Sequence, residues 1–128
     1  MEEDYVSYEL AVKLKECGFA GVALGRYVDC PKAPSLFSGM ECQSWNLEKD
    51  EILAPTLWCA WKWLRYEKNI DVEVNSNTEN YEIVSYEWSL FWMSPCDLID
   101  DADDSYTSYE EALEAGMMRA VEMLPSGE

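Results

Sequence analysis

The chain has 128 residues, the usual length of one domain, and we expect residues 1–128 to fold as a single domain. Its hydrophobic content of 48% is too high for a disordered protein, and its apolar runs are far shorter than the roughly 20 residues that cross a bilayer. A net charge of −17, from 9 basic and 26 acidic residues, disfavours direct binding to nucleic acid or to an anionic membrane and favours a protein partner with a basic surface.

The first predicted element is a helix over residues 7–17. Ser7 is suited to the N-cap position, because its hydroxyl can accept a hydrogen bond from an unpaired amide of the first turn. Gly18 followed by Phe19 predicts a Schellman ending, in which Phe19 folds back onto the last turn. Helical spacing puts the apolar residues on one stripe: Leu10, Ala11, Leu14 and Cys17.

The segment from Ala20 to Leu53 is the least regular part of the sequence. Its first ten residues, AGVALGRYVD, could form a short strand that the glycines loosen. Prolines, serines and mixed polarity predict an ordered loop over 30–53, and a loop of that length in a compact domain is either functional or hides a short element. Three large apolar residues are expected to pin it to the rest of the domain: Phe37, Met40 and Trp45.

A second helix is predicted over 55–68. Pro55 suits its first turn, where a missing amide hydrogen has no effect, and Asn69 suits a left-handed stop. The spacing i, i+3, i+4 and i+7 defines the side that faces the core: Leu57, Ala60, Trp61 and Leu64.

This helix holds three tryptophans within six residues. Trp63 lies about 160° from Trp61 around the helix axis and is expected to point outward, whereas Trp58 lies about 60° to one side. An exposed tryptophan is typical of binding surfaces, so Trp63 is a candidate partner-binding residue. The alternative is that the loop over 30–53 covers it.

A β-hairpin follows, with strands over 70–75 and 81–93 and a connecting loop of five or six residues. Strict alternation places Ile70, Val72 and Val74 on the inner face of the first strand. On the second strand, one face is expected to carry Val84, Tyr86, Trp88, Leu90 and Trp92.

An acidic loop is predicted from Asp97 to Ser105, and a last helix over 108–124. Ser108 and Glu111 have the spacing of a capping box, and Pro125 closes the helix. The buried stripe of this helix is predicted to comprise Leu113, Met117, Ala120, Val121 and Leu124.

The absence of histidine excludes Ser–His and Cys–His nucleophile pairs, and we expect no catalytic residue, no cofactor and no metal ligand. Five cysteines at irregular spacing favour reduced thiols that behave as small apolar residues. An EF-hand register from Asp100 would place Glu111 at its twelfth position, but Ala102 and Ser105 occupy its third and sixth positions.

Charge is unevenly distributed along the sequence. Residues 65–128 hold three bases and sixteen acids, and no basic residue lies between Lys68 and Arg119. The main hypothesis is therefore a non-enzymatic accessory protein that binds a basic or nucleic-acid-binding partner through its acidic C-terminal half. The candidate partner-binding residues are Trp63, Asp100, Asp101, Asp103 and Asp104.

Two other functions stay open on the sequence. One is a small enzyme or divalent-cation-binding domain that uses the carboxylates of 97–104. The other is a structural or assembly component without a small-molecule site. The acidic start MEEDY lacks the basic and apolar character of a signal peptide, so the cytoplasm is the expected location.

Three stretches together resemble a known group of proteins: SYELAVKLKECGF, APTLWCAWKWLR and SYEEALEAG. Their order and spacing are similar to those of small uncharacterised proteins of gut anaerobes and their phages or mobile elements. The resemblance spans the three predicted helices and implies no activity, cofactor or catalytic residue. It implies a mobile-element setting, in which small acidic proteins often act on host machinery. Trp61 departs from it, since a polar residue is expected there.

The elements together predict an α+β fold. We expect a small antiparallel sheet, built on the hairpin of 70–75 and 81–93, that is covered by the helices over 7–17, 55–68 and 108–124.

Overall fold

The computed structural model describes residues 5–19, 23–28, 35–42, 51–93, 97–102 and 104–124. In chain order, its elements are α1 (Tyr8–Glu16), β1 (Ala23–Val28), β2 (Ser35–Cys42), β3 (Glu51–Leu53), α2 (Leu57–Glu67), β4 (Ile70–Glu79), β5 (Glu82–Trp92), β6 (Leu98–Asp101) and α3 (Tyr109–Met123). The strands form two three-stranded antiparallel sheets, which confirms the predicted α+β class. No helix among the described residues is both long and apolar enough to span a bilayer.

The chain divides into two compact units. One comprises Met1–Ala60 and Leu124–Glu128, and the other comprises Trp61–Met123. The division falls inside α2, so this helix contributes its first residues to one unit and its last residues to the other. The expectation of a single domain over 1–128 stays a prediction.

The sheet of the first unit has the strand order β2–β1–β3. The central strand β1 is the short strand expected in this region. The loop predicted over 30–53 contains both β2 and β3, so the alternative that it hides a short element is the one observed. Apolar and polar residues do not alternate along β2, and the strand is defined by its pairing with β1. Phe37 and Met40 belong to β2, whereas Trp45 lies outside the described residues.

Helix α1 begins and ends as predicted. The hydroxyl of Ser7 accepts a hydrogen bond of 3.2 Å from the amide of Leu10. At the other end, Phe19 N–H donates to the carbonyl of Leu14 at 2.9 Å, while Gly18 adopts a left-handed φ of 95°. These bonds form the Schellman motif, which turns the buried Phe19 back onto the helix.

Several hydrogen bonds tie the start of the chain to the segment before α2. Tyr5 and Thr56 form an isolated antiparallel bridge, and the amide of Val6 donates to the carbonyl of Pro55 at 3.0 Å. The hydroxyl of Tyr27 in β1 donates to the carbonyl of Val6 at 2.6 Å. The first unit is therefore closed by contacts between residues far apart in sequence.

Helix α2 begins later than predicted. Thr56 caps it by accepting a 3.2 Å hydrogen bond from the amide of Cys59, so Pro55 precedes the cap instead of occupying the first turn. Asn69 has a φ of 60°, which confirms the left-handed stop. Trp61 is half-buried. The remaining members of the predicted inner stripe are fully covered: Leu57, Ala60 and Leu64.

The sheet of the second unit has the order β4–β5–β6. Strand β4 is longer than predicted and continues to Glu79, whereas β5 stays within the predicted range of 81–93. The two strands are joined by a two-residue turn instead of a loop of five or six residues. Asn80 and Tyr81 both have positive φ, of 50° and 67°, as a type I′ turn requires. Glu79 and Glu82 flank the turn as direct partners.

A bulge changes the alternation of β5. Asn77 of β4 pairs with Ser85, but the next residue, Thr78, pairs with Ile83. Val84 is therefore an extra residue in β5, and the predicted common face from Val84 to Trp92 begins only after it.

Helix α3 packs closely on one face of this sheet. A methyl group built on Gly116 would lie 2.7 Å from Val72 Cγ1 and 2.9 Å from Trp88 Cβ, so the helix and the sheet approach more closely there than a side chain permits. The buried residues of α3 are Ala112, Leu113, Gly116, Met117, Ala120 and Val121.

The start of α3 shows the Ser108 half of the predicted capping box, whereas the Glu111 side chain bonds Thr107. Ser108 Oγ accepts a 3.1 Å hydrogen bond from the amide of Glu111. The Glu111 carboxylate accepts a hydrogen bond from the Thr107 hydroxyl at 3.2 Å. Leu124, predicted to belong to the buried stripe, follows the end of the helix and is half-buried.

Candidate protein-binding surface

The register of β4, β5 and β6 separates the side chains of this sheet onto two different faces. Residues paired directly across antiparallel strands point to the same side, and neighbours along a strand point to opposite sides. Val72 and Trp88, which contact Gly116, mark the face that α3 covers. The opposite face carries six carboxylates, and we call it the acidic face: Asp71, Glu73, Glu79, Glu82, Glu87 and Asp101.

Five of these six side chains are exposed, and only Asp71 is largely covered. The strands bring no compensating charge of their own, because the sequence has no lysine or arginine between Lys68 and Arg119. Like charges that share one sheet face repel each other, and water screens them only in part. The acidic face is therefore a concentrated negative surface.

Polar side chains between the carboxylates connect the three strands. Asn75 Nδ2 donates to Ser89 Oγ at 3.3 Å, and that hydroxyl donates to Asp101 Oδ1 at 2.9 Å. Asn77 Nδ2 donates to Ser85 Oγ at 2.9 Å nearer the turn. Ser89 is buried between its neighbours, so its hydroxyl holds the Asp101 carboxylate in a defined position.

One end of the acidic face is bordered by α2. Arg65 lies 3.5 Å from Asp71 and stacks 5.0 Å above the ring of Trp61. The indole nitrogen of Trp61 donates to the backbone carbonyl of Val72 at 2.8 Å. Since β4 is an edge strand of its sheet, this bond occupies one of the backbone groups on that edge. Arg65 thus offsets the charge of Asp71 and leaves the rest of the face negative.

Glu73 has a carboxylate neighbour on the acidic face, Asp71. Partial burial, the negative charge of Asp71 and a hydrogen bond with the Asp71 side chain raise the pKa of Glu73, against a smaller opposing influence of Arg65. A cation placed against this face would favour the ionised form of Glu73.

The predicted acidic loop from Asp97 to Ser105 contains strand β6, so the loop assignment was wrong for that part. Asp100 pairs with Leu90 and lies on the face toward α3, where Arg119 Nε donates to it at 2.8 Å. Hydrogen bonds from Arg119 and from the amide that follows lower the pKa of Asp100. Asp101 points to the acidic face, so two adjacent predicted site residues have different environments.

The other predicted site residues lie apart from this arrangement. Asp104 is exposed in the segment before α3, and Asp103 lies outside the described residues. Trp63 is half-buried instead of fully outward, with Lys68 Nζ 5.3 Å from its ring centre. Trp58, at 58% exposure, is the more exposed of these two tryptophans. Helical angle alone does not show this, because it leaves out the side chains that cover each position.

Five carboxylates of the acidic face were not among the predicted site residues: Asp71, Glu73, Glu79, Glu82 and Glu87. The alternation of β4 contains the signal for Glu73, which lies between Val72 and Val74. Glu82 could not be placed from alternation, because the Val84 bulge shifts the faces of β5.

Metal coordination has no preformed site in the part of the chain that the structure describes, where no group of three or more potential ligands converges. Of the two cysteines with described side chains, Cys17 is buried and Cys59 is exposed. The acidic face therefore offers a ligand negative charge and hydrogen-bond acceptors.

Comparison of the chain with protein-family models, curated proteins and solved structures gives no match.

Proposed function

We propose that this chain is a non-enzymatic accessory protein that binds a protein with a basic surface through its acidic face. The observation that supports this most directly is the strand register, which gathers six carboxylates on the sheet face opposite α3. The sequence alone indicated an acidic C-terminal half. The register adds the particular sheet face on which these carboxylates lie.

Physical chemistry makes such a face suited to protein recognition. The repulsion among its carboxylates is present in the free protein, and lysine or arginine side chains of a partner offset it. The same field steers a basic partner toward the face and weakens as salt is added. A sheet also keeps carboxylates at fixed spacings, so less side-chain freedom is lost on binding than with a mobile acidic tail.

The partner we infer is a protein that normally binds nucleic acid. A surface that binds phosphates is rich in lysine and arginine, and a row of carboxylates competes for the same side chains. This agrees with the resemblance to proteins of phages and mobile elements, in which host machinery is the expected target. We place the interaction in the cytoplasm.

The experiment compares two variants with equal charge. One removes four charges from the acidic face by Glu73→Gln, Glu79→Gln, Glu82→Gln and Glu87→Gln. The control removes four exposed charges elsewhere by Glu9→Gln, Glu16→Gln, Glu67→Gln and Glu110→Gln. Tagged protein is incubated with host lysate at low and high salt, and bound proteins are quantified by mass spectrometry.

We expect the wild type and the control to retain a basic protein at low salt and the acidic-face variant to lose it. Equal retention by both variants would contradict a role for this face. Equal loss in both would show that only net charge matters, which also contradicts the proposal.

A further inference from the structure

The β4–β5 hairpin ends in a tip with exposed apolar side chains, and we define the hairpin tip as residues 79–84. Tyr81 is fully exposed, while Ile83 and Val84 are 55% and 52% exposed. The residues of β4 and β5 near the tip are mostly exposed, whereas those at the other end of the hairpin are buried. An apolar group therefore lies at the end of the hairpin farthest from its buried part.

The backbone conformation at position 81 of the hairpin tip is unfavourable for a tyrosine. Two-residue turns with positive φ at both positions strongly prefer glycine at the second one, since a side chain there crowds the backbone. Here that position is Tyr81, with a φ of 67°. The turn therefore retains a large aromatic ring where glycine would stabilise the hairpin better.

Charge at the tip is also unfavourable within the free chain. Glu79 and Glu82 are direct cross-strand partners, and like charges in that position repel. Both belong to the acidic face, and Tyr81 lies in the turn between them, at the end of that face. A molecule that presents cations around an apolar recess would offset this repulsion and bury the exposed ring of Tyr81.

We propose that the hairpin tip is the anchor of the interface, in which Tyr81, Ile83 and Val84 enter an apolar recess of the basic partner. Glu79 and Glu82 then contact lysine or arginine side chains at the rim of that recess. This inference depends on the proposed function and adds the residue that supplies affinity. Tyrosine suits the role because its ring buries a large area with little loss of conformational freedom. A second copy of this chain is a poor occupant, because its charge of −17 would be repelled.

The decisive variant is Tyr81→Gly, which removes the ring and leaves every charge in place. It also replaces a strained residue by the one that the turn prefers, so the thermal midpoint should rise or stay equal, and lost binding cannot be attributed to unfolding. The control is Tyr66→Ala on α2, where the removed ring is 75% exposed. Affinity for the basic protein retained by the wild type is measured by biolayer interferometry over a range of salt concentrations.

We expect Tyr81→Gly to bind at least tenfold more weakly, with the same dependence of log Kd on log salt as the wild type. Tyr66→Ala should bind as the wild type does. The acidic-face variant should instead show a reduced salt dependence. Unchanged affinity of Tyr81→Gly, or an equal loss in Tyr66→Ala, overturns the inference while leaving the proposed function in place.

A photo-crosslinking amino acid at position 81, compared with one at position 66, separates the remaining outcomes. A crosslink to a basic protein from position 81 alone supports the anchor. A crosslink to a protein whose binding ignores salt and the acidic-face charges contradicts the proposed function but keeps the tip as a contact site. No crosslink from position 81, or one to a second copy of the chain, overturns the inference.

Discussion

The close approach of α3 to its sheet gives a prediction whose sign is unusual. In an exposed helix, replacing glycine by alanine stabilises, because glycine loses more backbone freedom on folding. At Gly116 the added methyl group would meet Val72 Cγ1 at 2.7 Å and Trp88 Cβ at 2.9 Å. Neither atom can move aside readily, since valine is restricted at χ1 and a Cβ is fixed to its backbone. We therefore predict that Gly116→Ala destabilises the protein.

The size of the effect follows from two opposing contributions. Overpacking of a buried site costs about 1–3 kcal/mol. Alanine in place of glycine in a helix returns about 1 kcal/mol. The expected net loss in the free energy of unfolding is about 1 kcal/mol, which corresponds to a fall of about 4 °C in the thermal midpoint for a chain of this size.

Urea unfolding followed by tryptophan fluorescence measures this loss, and buried Trp88 lies at the altered contact. The matched control is Ala115→Gly on the same helix, where the residue is only half-buried. It isolates the backbone contribution and should lose about 1 kcal/mol. A Gly116→Ala variant that is more stable than the wild type would refute the packing argument.

Three further predictions concern strain and charge. Tyr81→Gly should stabilise the protein by about 1 kcal/mol in thermal or urea unfolding, because it removes a side chain from a left-handed position; a loss of stability would contradict this. Glu73 has a raised pKa in the folded state, so its ionisation opposes folding as pH rises above its ordinary value of 4.5. Glu73→Gln should therefore be more stable than the wild type at neutral pH, and the difference should fade in acid; a constant difference would argue against linkage. Asp100 has a lowered pKa, so its stabilising effect is present above its ordinary value of 3.8 and is lost as pH falls through the lower folded value. Asp100→Asn should thus lose less stability on acidification than the wild type, and Arg119→Ala should show the same reduced loss. An acid titration followed by circular dichroism measures both variants. An acid profile like that of the wild type in either variant would contradict the pairing of Asp100 with Arg119.

Local features of the structure could be predicted from the sequence because they depend on neighbouring residues. Ser7 and Ser108 cap their helices through bonds to amides three residues away. Gly18 and Asn69 end their helices because each tolerates a left-handed backbone. Apolar and polar residues alternate along the first part of β4, which predicts a strand and already places Val72 and Glu73 on opposite faces.

Features that depend on pairing between distant segments were missed or misplaced. Apolar and polar residues do not alternate along β2, and its pairing with β1 defines it as a strand. The hairpin was predicted with a long loop because its polar residues resemble a turn, whereas cross-strand hydrogen bonds such as Asn77–Ser85 continue the ladder toward Asn80.

The sequence by itself determined the excess of negative charge, the serine caps of α1 and α3, the left-handed stops after α1 and α2, and the α+β class. Only the tertiary structure decided which carboxylates act together. Asp100 and Asp101 are adjacent in sequence, yet one is paired with Arg119 on the helix side and the other lies on the acidic face. Glu79 and Glu82 face each other because the turn between them is two residues long. The physical reason is that composition sets total charge, whereas strand register and one bulged residue set the side of the sheet to which each charge points.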